Sequence, residues 1–163
     1  MSLAKKTASP AKPNGVKKSA ALHAKSDDKP FKYSDKSAGQ PELIPIFNAI
    51  KAMLQPYIKG TIKERGKEGG MYNLVSEKAI EVEGRKRPEV YFASILVQKG
   101  YVGFYFMPVY MNNEADKMMK PELMKCLKGK ACFHIKKNDP VIMDQIKEAL
   151  RKGYEVYKQR GWV

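Results

Sequence analysis

EVYFASILVQKGYVGFYFMPVY, residues 89–110, decides the fold. Two β-type runs flank the dipeptide Lys99-Gly100, where glycine supplies the positive φ that a tight hairpin turn needs. With those two residues as the loop, Gln98 faces Tyr101 and the pairing follows outward by fixed steps. One face then carries Tyr91, Ala93, Ile95 and Val97 against Val102, Phe104, Phe106 and Pro108, all apolar. The other carries Phe92, Ser94, Leu96 and Gln98 against Tyr101, Gly103, Tyr105 and Met107, amphipathic and rich in tyrosine. A one-residue slip would mix the two sets, so the pattern specifies the register.

Upstream, a helix is expected to begin between Pro41 and Pro45, since proline fits the first helical turn. Leu43, Ile46, Phe47, Ile50, Met53, Leu54 and Tyr57 recur at helical spacing, and Pro56 ends the run. Residues 59–70 are charged and glycine-rich and read as a loop. Met71–Ser76 and Lys78–Val82 read as strands, and Gly84–Arg87 as a basic turn into the hairpin. Downstream, Asn113 caps a short helix through Met119, Pro121–Leu127 is helical up to Gly129, and Ala131–Ile135 is a strand. Asp139-Pro140 is a capping carboxylate followed by proline at the first helical position. The helix it starts should reach about Gln159, with Ile142, Ile146, Ala149, Leu150, Gly153 and Tyr157 on its apolar face. Gly153 lowers helix propensity by roughly 1 kcal/mol relative to alanine, which close packing on the sheet would explain. The order implies an α+β fold: a two-layer sandwich, a mainly antiparallel sheet with the N- and C-terminal helices on one face.

The 163 residues suffice for one domain, and 43% are hydrophobic. Residues 1–40 nearly lack large apolar side chains and read as a disordered basic tail, leaving 41–163 as the domain. The tail has nine Lys and three Asp, and the rest has 22 basic and 14 acidic residues, so both parts share in the net charge of +14. That balance favours polyanionic partners: nucleic acid, anionic membrane or acidic protein. Met1–Lys6 is followed by no apolar stretch, and no run is long enough to span a bilayer. Two cysteines, Cys126 and Cys132, make no disulfide framework. A cytoplasmic protein with no membrane partner is expected.

The hairpin Tyr91…Phe106, the segment LKGKACFHIK at residues 127–136 and the closing helix with Gly153-Tyr154 together resemble the YdhG-like family. These are small bacterial domains of unknown function with a frataxin-like architecture. The resemblance covers roughly Pro41 to Val163. It implies a frataxin-like two-layer α/β sandwich and a cytoplasmic bacterial protein, and carries over no catalytic residues. The frataxin likeness raises iron binding, which would use carboxylates on the first helix and strand. Here Glu42, Glu64, Glu68 and Glu77 are interspersed with Lys51, Lys59, Lys63, Arg65 and Lys67, and no acidic ridge forms.

Cys132 and His134 share one strand face and could form a nucleophile pair or half a metal site; a small buried thiol with an edge histidine is the plainer reading. A zinc site would need four ligands, with Cys126 as a third and His23 far off in the tail, so no metal and no cofactor is expected. No phosphate-loop fingerprint and no Ser–His–Asp order occurs. The expectation is therefore a non-enzymatic binding domain. Arg85, Lys86, Arg87, Lys128 and Lys130 are its candidate polyanion contacts. Phe92, Ser94, Tyr101 and Tyr105 are the candidate ligand-binding face, the alternative being a metal or small-ligand carrier or a homodimer contact on that face.

Overall fold

The computed structural model describes residues 33–66, 69–82, 84–111 and 115–163. Eight strands and five α-helices follow in order among them: α1 (Ile44–Leu54), β1 (Ile62–Arg65), β2 (Met71–Ser76), β3 (Ile80–Val82), β4 (Arg85–Arg87), β5 (Val90–Gln98), β6 (Tyr101–Phe106), α2 (Met107–Met111), α3 (Ala115–Met118), α4 (Pro121–Lys125), β7 (Leu127–Lys128), β8 (Cys132–Ile135) and α5 (Pro140–Gln159). Six strands form one antiparallel sheet in the order β1-β2-β5-β6-β8-β7, and β3 and β4 form a separate two-stranded ribbon. The α+β class expected from the sequence is the observed one.

The β5–β6 register is the one the sequence specifies: Gln98 faces Tyr101, Val97 faces Val102, Leu96 faces Gly103 and Ile95 faces Phe104. Gly100 turns the chain with φ 81°. Ala93, Ile95, Val97, Val102, Phe104 and Phe106 are buried in one core with Ile46, Phe47, Ile50 and Leu54 of α1 and Ile146, Ala149, Leu150 and Tyr157 of α5.

The alternation breaks at Phe92. On β2, Leu74 pairs with Ala93 but Val75 pairs with Tyr91, so Phe92 is the extra residue of a β-bulge. The bulge reverses the inside–outside sense of everything before it. Phe92, expected among the ligand-binding residues of the tyrosine-rich face, is instead fully buried in the core. Tyr91, expected inside, is 42% exposed.

Other departures have equally local causes. Residues 62–65, inside the segment read as a loop, form the edge strand β1, of which only Ile62 is buried. Residues 85–87, read as a turn, are a strand, paired residue by residue with β3. The β6 run stops at Phe106, and Met107–Met111, apolar enough to read as strand, is helical from there. The expected disordered tail, including His23, lies outside the described residues up to Lys32. Tyr33–Gln40, which composition assigned to that tail, belongs to the compact unit Tyr33–Val163. The Tyr33 hydroxyl donates to the Val97 carbonyl at 2.9 Å, and the Asp35 carboxylate accepts from the Gly70 amide at 3.1 Å. Gln40 Oε1 accepts from the Gly100 amide at 2.6 Å.

The last helix starts where the sequence places it. The Asp139 carboxylate accepts from the Val141 and Ile142 amides at 2.9 and 3.3 Å, with Pro140 first in the helix. Asp139→Ala should lower unfolding free energy by about 1 kcal/mol, measured by urea denaturation. At the other end, Ser76, buried on β2, donates to the Trp162 carbonyl at 2.7 Å and pins the C-terminus.

Candidate functional site

Strands that alternate inward and outward residues must present a second face once the first has been covered by helices. Among the described residues no helical layer covers that face. Its composition follows from the register. Arg65 pairs with Asn73, Asn73 with Ser94, Ser94 with Tyr105, Tyr105 with Cys132 and Cys132 with Lys128. One continuous row therefore crosses all six strands, with a cation at each end and a tyrosine near its middle. A parallel row runs Met71, Leu96, Gly103, His134, and on the other side Lys63, Val75 and Tyr91 lie side by side. At about 4.8 Å per strand the first row is about 24 Å long.

Of the expected ligand-face residues, Ser94, Tyr101 and Tyr105 are on this face and Phe92 is not. Sequence reasoning missed Tyr91, Asn73 and the neighbourhood of His134. Tyr101 and the His134 ring stack at 3.7 Å between centroids and 12° between planes. A Cβ on Gly103 would meet the Tyr105 ring at 2.9 Å and the Tyr101 ring at 3.6 Å, so both rings lean in over the glycine. Gly103 is there because nothing larger leaves room for two tyrosines on one strand. This is a packing reason as well as a site-building one.

The electrostatics of the face keep its groups neutral. Burial raises the pKa of Tyr105, with the neighbouring Cys132 thiol adding to it, and burial likewise raises Tyr101. Burial also raises Cys132 and Cys126. Burial, then Lys128 and Lys136, lower the pKa of His134. A thiol pushed up beside an imidazole pushed down is the opposite of the thiolate–imidazolium pair a cysteine nucleophile needs. Among the described residues no group of three or more His, Cys, Asp and Glu could hold a metal ion. No described helix is long and apolar enough to cross a membrane.

The basic residues fall into two groups. Arg85, Lys86 and Arg87 are all exposed on the β3–β4 ribbon. Lys128 and Lys130 are exposed around the β7–β8 turn, where Gly129 has φ 82°, and Lys136 and Lys137 are exposed just beyond the other end of β8. Lys130 lies over the Tyr110 ring at 5.7 Å. None of these cations makes an ion pair with a described residue. At the opposite edge Arg65 is held by Glu89 at 2.6 Å and Glu77 at 2.9 Å, so its charge is largely matched. Among the described residues, cations without an ion pair therefore stand at the β7–β8 edge and on the β3–β4 ribbon, and exposed Lys63 on β1 is another.

Comparison with known protein families, curated proteins and solved structures gives no match to this chain.

Proposed function

We propose that this protein is a nucleic-acid-binding domain whose folded part, and not only its basic N-terminal segment, grips the phosphate backbone. The observation that carries the reading is the pair of exposed lysines Lys128 and Lys136, neither ion-paired with a described residue, at the edge of a sheet face that no described helix covers. A phosphate beside either gains Coulomb attraction without displacing a described carboxylate. Lys130 and the Arg85–Arg87 ribbon extend the positive surface along the same molecule. Cations that pair with no described carboxylate release the counterions of a polyanion at low cost, since no ion pair among the described residues must first be broken.

Charge reversal tests this directly. Lys128→Glu with Lys136→Glu should weaken oligonucleotide binding by tenfold or more and flatten the log–log salt slope by roughly 1.5, two contacts at about 0.7–0.9 each. Fluorescence anisotropy on the full chain reads both quantities. Unchanged affinity and slope would sink the reading.

The same geometry sets a pH dependence. In the free protein His134 faces Tyr101 from β6, Lys128 from β7 and Lys136 just beyond β8, and its pKa is depressed. A phosphate that neutralises the lysines raises that pKa, so binding takes up a proton and tightens as pH falls below the ordinary histidine range near 6.5. Titration from pH 8 to 5.5 should show it, and His134→Gln should flatten it. Folding has the opposite sign. A depressed histidine stabilises the fold above its unfolded pKa, and that contribution is lost as pH falls below it.

A further inference from the structure

We infer that the sheet face carrying Tyr91, Tyr101 and Tyr105 receives unpaired bases, so that the nucleic acid bound here is single-stranded; this rests on the phosphate-binding reading above and deepens it. A sheet face about 24 Å across cannot enter a major groove about 12 Å wide, so duplex could be held only through its phosphates. A strand whose bases are free can lay them on the face instead.

The face offers what bases need. Tyr101 and His134 already form an aromatic stack, 3.7 Å between centroids and near parallel, and a base adds a third layer to such a stack at the same spacing. Tyr105 leans over Gly103 beside this pair. Across the sheet Tyr91 stands 42% exposed at the end of β5, placed there by the bulge. Ser94 and Asn73, half-buried on the same face, supply hydroxyl and amide groups to base edges without requiring one sequence.

Lys128 and Lys136, which make no ion pair with a described residue, stand at the β7–β8 edge beside the Tyr101–His134 stack. Charge complementarity at one edge and aromatic rings in the interior select a single-stranded polyanion over an acidic protein, whose carboxylates would gain nothing from the rings.

The test compares four ligands with the full chain by fluorescence anisotropy at one moderate salt concentration: an unstructured DNA strand and an RNA strand of about twelve nucleotides, the duplex of the same sequence, and an abasic strand of equal length. The single strands should bind at least tenfold tighter than the duplex and the abasic strand. Tyr91→Ser and Tyr101→Ala should each weaken single-strand binding by about five- to a hundredfold, the range of one base–aromatic stack, and leave the duplex within twofold. Tyr101→Phe should bind as the parent does, which separates loss of the ring from a damaged fold. Tyr91 is a surface side chain, so its variant keeps the test alive if Tyr101→Ala folds poorly. Equal binding of all four ligands, unmoved by either tyrosine variant, overturns this inference while the phosphate reading stands. No binding to any of them overturns both. A preference for RNA over DNA strands supports the inference and assigns the polar groups to the 2′-hydroxyl; equal affinity supports it without that assignment.

Discussion

Replacing Phe92 by alanine is expected to lower the unfolding free energy by about 3–5 kcal/mol, a large part of a domain's total stability. The ring is fully buried, with the rings of Tyr157, Tyr57, Phe106 and Tyr154 at centroid distances of 5.2, 5.6, 5.7 and 6.3 Å. Those four come from α5, β6 and the turn after α1, so the cavity left behind would border three elements that cannot all close on it. The bulge that turns Phe92 inward also turns Tyr91 outward. Tyr91→Ala should therefore change stability by less than about 0.5 kcal/mol. Urea denaturation of the two variants settles which aromatic is inside. A Phe92→Ala protein of near-parent stability would mean that the bulge is misplaced, and with it the position of Tyr91 on the open face.

Gly153 is the second position at which one substitution should cost much. A Cβ there would lie 2.3 Å from Phe106 Cζ and 2.8 Å from Pro108 Cγ. In isolation Gly→Ala in a helix gains about 1 kcal/mol. Here overpacking opposes it, typically at 1–3 kcal/mol, and neither neighbour can yield easily. Phe106 stacks on Phe104 at 5.5 Å and meets Phe92 edge-on at 5.7 Å, and Pro108 is ring-locked in α2. Gly153→Ala should therefore be net destabilising by about 1–2 kcal/mol, and Gly153→Val, with its branch at the crowded carbon, by about 3 kcal/mol. A stabilised alanine variant in thermal or urea unfolding would show that α5 can lift off the sheet at no cost.

The glycine shows how far sequence carries. Its low helix propensity inside a strongly periodic segment already pointed to close packing against the sheet, and Phe106 is what it packs on. The hairpin register was legible for a similar reason, because a two-residue turn and a period of two leave one pairing that keeps six apolar residues together. The bulge was not legible. Tyr91, Phe92 and Ala93 are all apolar enough to face inward, and only pairing with β2, distant in sequence, decides which do. Edge strand β1 was hidden by its composition, Ile62-Lys63-Glu64-Arg65, since an edge strand protected by charges carries too few apolar residues to display its period.

The candidate site divides along the same line. Ser94, Tyr101 and Tyr105 could be assigned to one face from the hairpin alone. The stack of Tyr101 on His134, and the lysines around that histidine, depend on β8 pairing with β6 and β7 with β8, contacts that no local pattern encodes. Arg85–Arg87 and Lys128–Lys130 were visible as charge runs, but their lack of carboxylate partners among the described residues, and the engagement of Arg65 by two, are properties of the folded chain.

The most direct test of the central proposal is the salt dependence of oligonucleotide affinity for a chain beginning at Tyr33, the first residue of the compact unit, measured beside the full-length chain. Retained binding, with an affinity that falls steeply as salt rises, is the expected result and places the phosphate contacts on the folded domain. Binding that disappears with residues 1–32 would contradict the account and leave the basic segment as the only part of this protein that holds nucleic acid.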